Sequence, residues 1–329
     1  MPSGATDPRL SVVVPSRGPA ARLRATLACL AGQGAETPPF EVVVVNDNPG
    51  RAGDDPGPAQ GDPGPAGEGA TPAAVAGELA RDLPVRVVPG PLRGRAAARN
   101  AGAAAARGAR LVFLDDDVLV GPEFLAAHAD AADPDAFAHG RTRELPTAAR
   151  LLRSLEGGSL EDVRRARAAL GPAPASTPPP GPAAHRRLVA NALERTVEAM
   201  AGGALPDVAP WLGFVGANTA VDRDRWQRAG GFDEAFGLTW GCEDLEFGFR
   251  LYAAGVRRTL VADALGVHLS HARPGRWEQH HRNLDRFRAL HPHASVRALE
   301  ALLGPEGTPG EYVRAVTTAA DAPVGGGAR

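Results

Sequence analysis

Short apolar strands alternate with helical patterns along the first part of this 329-residue chain. The runs LSVVVP (10–15), FEVVVV (40–45), VRVV (85–88) and LVFL (111–114) are mostly β-branched or aliphatic. Runs of this kind, without polar alternation, are typical of strands buried on both faces of a parallel sheet. Leucines at i, i+4 and i+7 over 23–30 and an alanine-rich stretch over about 94–107 indicate intervening helices. This order predicts an α/β fold with a doubly wound, mostly parallel sheet flanked by helices.

Polar residues follow three of these strands at the point where each ends. The three clusters are Pro15-Ser16-Arg17, Asn46-Asp47-Asn48 and Asp115-Asp116-Asp117. Ligands of doubly wound sheets collect outside the carboxyl ends of the strands. The sequence therefore predicts a ligand site at this edge of the sheet.

The rest of the chain divides by composition. Residues 49–72 lack periodicity, which predicts a mobile loop within a first unit over 1–140. Residues 141–210 predict a helical insertion, interrupted by the proline-rich linker GPAPASTPPPGP at 171–182. The α/β character returns over 211–295, and 296–329 is expected to be a tail whose last twenty or so residues are disordered.

Composition excludes several classes of protein. Lys+Arg 36 against Asp+Glu 38 gives a net charge of −2, so no basic field points to nucleic acid. The chain contains no lysine, which excludes a P-loop lysine, a Schiff-base lysine and a protein-kinase fold. Cys29 and Cys242 are too few for a disulfide framework or a zinc site of their own.

The ends and hydropathy of the chain point to a cytoplasmic protein. The N-terminus MPSGATDPRL has no apolar core, so it does not resemble a signal peptide. No run approaches the eighteen apolar residues of a membrane span, so we expect a protein of a reducing compartment, with peripheral membrane contact left open.

The acidic cluster is a candidate metal site. If the backbone is extended, Asp115 and Asp117 point to the same side, and two adjacent carboxylates repel unless a cation or hydrogen bonds compensate them. Mg²⁺ or Mn²⁺ together with a diphosphate would meet that need. The alternative is an acidic turn after a strand.

Arginines suited to phosphate precede this cluster: Arg93, Arg95, Arg99 and Arg107. Arg99 is the strongest candidate, because Gly102 beside it permits close approach of a ligand; the alternative is a solvated helix face. Asp47, directly after a buried strand, either accepts a hydrogen bond from a base or ribose or caps a turn.

A second group of candidates lies in the C-terminal half. Glu243 and Asp244 open a predicted helix, where they either cap it or supply a general base beside the aromatic wall of Trp240. His268 and His271 follow a predicted strand and could ligate a metal with help from elsewhere, although a surface histidine is the commoner outcome.

Together these segments resemble the family 2 glycosyltransferases with the GT-A fold. The matching stretches are SVVVPSRG (11–18), FEVVVVND (40–47), RGRAAARNAG (93–102), LVFLDDDV (111–118), GANTAVDRDRWQRAGGFDEAF (216–236), WGCEDLEFGFRLYAAG (240–255) and VADALGVH (261–268). The similarity covers roughly 10–140 and 211–290, and the segment around Trp240 and Gly241 also looks like a galactosyltransferase-type C-terminal motif.

The resemblance implies a metal-dependent hexosyltransferase that uses a nucleoside diphosphate sugar, with a UDP-sugar favoured, and a hydroxyl-bearing acceptor. It assigns Pro15, Ser16, Arg17, Asp47, Arg99, Asp115 and Asp116 to the donor, and Trp240 and Gly241 to the acceptor or sugar. It assigns Asp117, Asp115 and His268, with His271 as a rival, to Mn²⁺ or Mg²⁺. Asp244 would be the base of an inverting transfer, supported by Glu243. The unit over 1–140 would bind the nucleotide sugar, and 211–295 would complete the catalytic half of the same domain.

Two departures from the family pattern are visible. The second strand ends in Asn46-Asp47-Asn48-Pro49 instead of the commoner Asp-Asp-Gly-Ser, and 142–205 has no recognisable counterpart. The alternatives are a non-catalytic nucleotide-sugar or glycan-binding relative and a sugar-nucleotide pyrophosphorylase. The latter's glycine-rich, lysine-containing phosphate loop is absent, since Ser16-Arg17-Gly18-Pro19 stands in its place.

Overall fold

The computed structural model describes residues 7–48, 70–155, 158–170, 188–271, 275–304 and 307–321. The expected mobile loop lies outside the described residues over 49–69, and so does the proline-rich linker at 171–182. The structure does describe the last residues of that expected loop, where a helix begins at Pro72.

Eight strands form one sheet in the order β3-β2-β1-β4-β7-β6-β8-β5. Their bounds are β1 Leu10–Ser16, β2 Phe40–Asn46, β3 Val85–Pro89, β4 Arg110–Leu114, β5 Val118–Val120, β6 Ala136–Glu144, β7 Asn218–Asp222 and β8 Arg257–His268. Strand pairing shows that β5 and β7 run against the other six, so the mostly parallel sheet predicted from the sequence is confirmed.

Helices cover the sheet and its edges. They are α1 Ala20–Leu30, α2 Pro72–Leu79, α3 Arg95–Ala105, α4 Phe124–Asp130, α5 Ala148–Ser154, α6 Leu160–Ala168, α7 Ala192–Ala201, α8 Arg223–Arg228, α9 Glu243–Ala253, α10 Arg276–Leu290, α11 Ala294–Arg297, α12 Glu300–Leu303 and α13 Pro309–Asp321. No helix among the described residues is both long and apolar enough to cross a bilayer.

Strands β1, β2 and β4 are buried on both faces, as their apolar runs predict, whereas β3 at the edge of the sheet is only partly buried. Val12, Val14 and their neighbours on β2 are fully buried. Helix α3 lies close against β1 and β2 because Gly102 has no side chain; a Cβ there would stand 2.4 Å from a methyl of Val13. This close packing brings the first turn of α3 to the edge where the parallel strands end.

The antiparallel half brings a second set of residues to the same edge. Strand β7 pairs antiparallel with β4, so Asn218 lies opposite Leu114. Strand β8 runs parallel to β6 and pairs antiparallel with the short β5, which places His268 opposite Val118. The end of β8 therefore lies beside the residues that follow β4.

The segment over 141–210 contains helices α5, α6 and α7, in line with its helical prediction. Helix α6 packs on α1, whereas α7 packs on the 3-10 turn at Pro210–Gly213. The helices of this segment thus contact different parts of the fold. Its treatment as a separate insertion stays a prediction.

The C-terminal helices complete a second hydrophobic core, and the expectation of disorder is wrong for Pro309–Asp321. Tyr312 on α13 is fully buried, and its hydroxyl donates a hydrogen bond to the carbonyl of Ser295 at 3.0 Å. Residues 322–329 lie outside the described part of the chain.

Candidate active site

The predicted polar clusters meet at the carboxyl edge of the sheet. The Ser16 hydroxyl, at the end of β1, donates a hydrogen bond of 2.7 Å to an oxygen of Asp116. The amide of Asp47, just after β2, donates to the carbonyl of Ser16 at 2.9 Å. The ends of β1, β2 and β4 are therefore joined directly by hydrogen bonds.

The three aspartates after β4 point to three different partners. Asp116 and Asp117 lie in a turn, so the expectation that an extended backbone aims Asp115 and Asp117 to one side is wrong. Asp115 accepts from Arg99 at 2.9 Å, Asp116 accepts from Ser16, and Asp117 faces two histidines. Burial, and then the charge of Asp117, raise the pKa of Asp116 well above its usual range.

Asp117, His268 and His271 form a group with the composition of a metal site. One Asp117 oxygen lies 3.3 Å from Nε2 of His268 and 3.2 Å from Nε2 of His271. One ligand atom from each residue lies within 4.8 Å of the other two. Two imidazoles and a carboxylate suit Mn²⁺ better than Mg²⁺, because Mg²⁺ prefers ligand sets made of oxygen atoms alone. The two histidines treated as rivals in the sequence both face Asp117.

His268 is held by a second carboxylate behind it. Its Nδ1 lies 2.6 Å from Oε2 of Glu144, which also accepts from the Ser270 hydroxyl at 2.6 Å. Burial lowers the pKa of His268, but Asp117 and Glu144 outweigh burial and raise it to about 10. A carboxylate behind a histidine fixes its ring orientation in metal sites.

Arg99 joins the two halves of the site. Its guanidinium is buried and donates to Asp115 and to Oε1 of Glu243, both at 2.9 Å. Gly216 makes room for it, because a Cβ there would lie 2.4 Å from the guanidinium carbon. Burial lowers the pKa of Arg99, but Asp115 and Glu243 hold it above its usual range. The structure thus places Arg99 between two carboxylates.

Asp244, at the start of α9, is oriented by the main chain. One oxygen accepts from the amide of Gly216 at 3.0 Å and the other from the amide of Leu245 at 2.9 Å. Burial, followed by the charge of Glu243, raises the pKa of Asp244 to about 6, although Arg99 lowers it. A carboxylate with this pKa is ionised at neutral pH and still basic enough to accept a proton.

Two successive residues before α9 have a positive φ angle. Gly241 has φ 104° and Cys242 has φ 69°, an uncommon conformation for a residue with a Cβ. Helix α10 holds this turn: Gln279 accepts from the amide of Trp240 at 2.9 Å, and Asn283 donates to the carbonyl of Gly241 at 2.8 Å. The half-buried Trp240 ring lies 5.8 Å from that of His280.

Asp47 is tied to the loop that follows β3. It is 3% exposed, and its Oδ1 accepts from the amide of Leu92 at 2.7 Å. The half-exposed Arg17 lies 3.7 Å from its other oxygen. Burial raises the pKa of Asp47 despite these contacts. This contact joins Asp47 to the loop after β3 and does not cap the turn after β2, so the choice between capping and binding a base or ribose stays a prediction.

Two of the predicted arginines, Arg93 and Arg107, lie outside this cluster. Arg93 is exposed and pairs with Glu234, and Arg107 pairs with Glu41 near the amino ends of β1 and β2. Pro15 is half-buried within β1, next to Ser16. For Arg93 and Arg107 the surface alternative is therefore the one that the structure shows.

Sequence reasoning missed several residues of the site. Glu144 ends β6, a strand with no clear pattern in the sequence, and nothing local marks it as a partner of His268. Gly216 contributes its main-chain amide, and Asn283 contributes a side-chain amide that bonds a main-chain carbonyl. Neither contact leaves a recognisable pattern in the sequence. Among the described residues, Asp115 is absent from the candidate metal group, so its role as a ligand stays a prediction.

Comparison with known proteins gives one family and several relatives. The family model described as "Glycosyltransferase like family 2" matches residues 8–289. Validoxylamine A glucosyltransferase of Streptomyces hygroscopicus subsp. jinggangensis (strain 5008) is 30% identical over 312 residues, which is 88% of this chain and 63% of that protein. The enzyme of the same name from subsp. limoneus is also 30% identical, and the chain covers 58% of its length. The chain thus spans about three fifths of the length of these curated relatives.

Two solved structures share the fold. The mannosyltransferase PcManGT from Pyrobaculum calidifontis, in complex with GDP-Man and Mn²⁺, aligns with a TM-score of 0.51 at 20% identity over 97% of this chain and 71% of that one. GalNAc-T7 with UDP, GalNAc and Mn²⁺ aligns with a TM-score of 0.53 at 14% identity over 95% of this chain and 54% of that one. At these identities the likeness concerns the fold, and it agrees with the observed mixed sheet.

Proposed function

The chain belongs to glycosyltransferase family 2, and on that premise we propose that it transfers a sugar from a nucleoside diphosphate sugar to a hydroxyl of an acceptor. The observation that carries the proposal is the meeting of two groups at one edge of the sheet. The first is the candidate metal group of Asp117, His268 and His271. The second is the Asp244 carboxylate at the start of α9. The buried Arg99 joins Asp115, beside the first group, to Glu243, beside the second.

Asp117, His268 and His271 would hold a divalent cation, with Mn²⁺ favoured over Mg²⁺ by the two imidazoles. The cation would supply positive charge to the diphosphate leaving group. Glu144 fixes the ring of His268, which keeps its Nε2 aimed at Asp117. We keep Asp115 as a further candidate ligand, through the oxygen that does not accept from Arg99.

Asp244 would remove the proton of the acceptor hydroxyl as its oxygen attacks the anomeric carbon. Because attack comes from the face opposite the leaving diphosphate, the configuration at that carbon inverts. Two main-chain amides hold the Asp244 carboxylate, which keeps one orientation for the reaction. Glu243 would act through Arg99, by keeping the guanidinium in place beside the start of α9.

The donor would lie over the carboxyl ends of β1, β2 and β4, and the residues proposed to contact it are Pro15, Ser16, Arg17, Asp47, Arg99, Asp115 and Asp116. A UDP-sugar is the favoured donor, and the two solved relatives supply UDP and GDP-mannose as the ligands to compare. The curated relatives favour a glucosyl donor, whereas the motif around Trp240 and Gly241 favours galactosyl. The acceptor would lie against Trp240 and Gly241.

Ligand-dependent stability tests this proposal first. We would measure the melting temperature with UDP, GDP and dTDP, each with and without Mn²⁺, on the wild type and on Asp117→Ala. A ligand at a hundred times its Kd adds about 2.7 kcal/mol, which raises Tm by several degrees. We expect a metal-dependent shift with one nucleotide that is lost in Asp117→Ala and kept in Asp224→Ala, whose carboxylate lies on the surface in α8.

Sugar transfer is then measured with the nucleotide sugar identified in this way. We expect Asp244→Asn to bind the donor and to transfer sugar about 10²–10⁴-fold more slowly than the wild type. A metal-dependent shift without transfer in the wild type would favour the non-catalytic relative. No shift with any nucleotide would contradict the proposed donor class.

A further inference from the structure

The strand that ends in His268 is out of register with its neighbour along part of its length. Strands β6 and β8 pair regularly from Ala136↔Arg257 to Gly140↔Val261, and pairing resumes at Thr142↔Gly266. The offset between partners changes from 261 − 140 = 121 to 266 − 142 = 124, which is three residues. At about 3.3 Å per residue this moves the end of β8 by about 10 Å relative to β6.

This irregularity is what brings His268 to its observed neighbours. After the shift His268 pairs with Glu144 on β6 and with Val118 on β5, directly after Asp117. With the original offset of 121, position 268 would face residue 147 instead. Regular pairing would therefore separate His268 from both carboxylates that it contacts.

Asn218, on β7, fills the irregularity from the side. Its Nδ2 donates to the carbonyl of Arg141 on β6 at 3.1 Å and to the carbonyl of Ala264 on β8 at 2.8 Å. Its Oδ1 lies 2.9 Å from Nε2 of the buried His128, which donates in the tautomer that fits this contact. An unpaired buried carbonyl costs about 1–3 kcal/mol, so these bonds make the irregular pairing tolerable.

Two glycines give the Asn218 amide its space. A Cβ at Gly140 would lie 2.2 Å from Oδ1 of Asn218, and one at Gly266 would lie 3.1 Å from Nδ2. The amide is completely buried between them. A larger residue at either position would push the amide away from the carbonyls that it bonds.

Asn218 also contacts the strand that leads to Asp117. Its backbone pairs with Leu114, the last residue of β4, and Asp117 follows three positions later. One residue thus contacts the strand that leads to Asp117 through its main chain and the strand that leads to His268 through its side chain.

We propose that Asn218 is a positioning residue that sets His268 against Asp117, with His128 orienting its amide. This inference rests on the proposed function, since it takes Asp117, His268 and His271 as the cation site. It assigns Asn218 no contact with substrate.

Mn²⁺ affinity, measured by titration calorimetry on the full chain without nucleotide, tests the inference. Asn218→Leu keeps the approximate shape of the side chain and removes its donors, so we expect Mn²⁺ binding about 10–100-fold weaker, as for other residues that support metal ligands. The control is Thr219→Val on the same strand. Thr219 is equally buried and donates to the carbonyl of Val215, but its side chain does not bond β6 or β8, so Mn²⁺ affinity should stay at the wild-type value.

A second pair of variants covers the case in which Asn218→Leu does not fold. His128→Leu removes the donor that orients the amide and should weaken Mn²⁺ binding, whereas His128→Gln restores a donor and should recover part of it. Wild-type Mn²⁺ affinity in Asn218→Leu and His128→Leu, with only Tm lowered, would overturn the inference.

The two proposals fail differently. If the wild type binds no Mn²⁺, or His268→Ala binds it as well as the wild type, the proposed cation site is wrong and this inference falls with it. If His268→Ala weakens binding but the Asn218 and His128 variants do not, only the positioning role is wrong.

Discussion

The carboxyl group of Asp244 sets the pH dependence expected for the reaction. Burial raises its pKa to about 6, and a general base acts only when ionised. We therefore expect kcat/KM to be level above pH 7 and to fall tenfold per unit as the pH drops below about 6. Initial rates of transfer between pH 5 and 8 measure this profile.

Asp244→Asn is the matched variant, since it keeps the size of the side chain and removes the proposed base. Loss of a general base lowers the rate by about 10²–10⁴-fold, and the limb near pH 6 should disappear with it. A variant that keeps the wild-type rate and profile would show that another group takes the proton.

Arg99 supplies a stability prediction. Replacing it by methionine leaves Asp115 and Glu243 without their shared cation, and breaking a buried pair costs about 3–5 kcal/mol. Arg99→Lys should recover only part of this, because Arg99 reaches the two carboxylates with two different nitrogens, whereas lysine has a single nitrogen on a shorter side chain. Urea unfolding at pH 7.5 measures both variants.

Arg93→Met is the control for Arg99, since Arg93 is 65% exposed and its pair with Glu234 should contribute less than about 1 kcal/mol. Equal losses in Arg93→Met and Arg99→Met would mean that the buried contacts do not stabilise the fold as argued.

Helix α3 depends on a glycine at its start. Gly94 has φ 101°, and a Cβ there would lie 1.9 Å from the carbonyl oxygen of Gly237. Gly94→Ala should cost about 1–3 kcal/mol from the backbone conformation alone, with more from the contact. Because α3 carries Arg99, we also expect weaker nucleotide binding.

Gly77→Ala in α2 is the opposite case, and it serves as the control. Nothing lies within 4 Å of a Cβ at Gly77, so alanine should stabilise the helix by about 0.5–1 kcal/mol. Thermal unfolding of the two variants should therefore move Tm in opposite directions. An unchanged or raised Tm in Gly94→Ala would contradict the argument for Gly94.

Elements with strong local patterns could be predicted from the sequence. Strands β1 to β4 are mostly apolar and rich in valine and leucine, and α9 and α10 follow a helical period. Strand β5 spans only Val118–Val120, and β6 carries His139, Arg141 and Arg143 among small residues, so neither shows a recognisable pattern. The full length of β8 depends on pairing with β5 and β6, which no local signal encodes.

The residues of the site also fall into those that could be predicted from the sequence and those that could not. Its residue types were recognisable because acids and histidines follow predicted strands, and the strand order brought them to one edge. Their partners were not recognisable: Arg99 finds Glu243 across 144 positions, and Glu144 finds His268 across 124. Such contacts are set by packing in three dimensions and leave no spacing to detect.

Three buried hydrophobic clusters support the described part of the molecule, and the second core, which contains the C-terminal helices, reaches the site. Tyr312 on α13 and Leu245 on α9 belong to the same buried cluster. Helices near the C-terminal end of the chain therefore support the helix that opens with Glu243 and Asp244, although they are distant in sequence.

Tyr312→Ala should cost about 3–5 kcal/mol and lower kcat by loosening the start of α9. Tyr312→Phe should cost about 0.5–1.5 kcal/mol, since it loses only the hydrogen bond to Ser295. Tyr252→Phe, 42% exposed on α9, should change stability by less than about 0.5 kcal/mol. Chemical unfolding and transfer rates on the same samples check all three, and an unchanged kcat in Tyr312→Ala would separate the second core from the site.

The three extra residues of β8 between its two paired stretches have a consequence for changes of chain length. A deletion of three residues within 262–265 would let β6 and β8 pair without interruption, and a continuous ladder is the more stable sheet. His268 would still face Glu144 after this deletion, since 268 − 3 − 121 = 144. The irregular stretch is therefore a place where the strand can gain or lose residues while the register at its end stays the same.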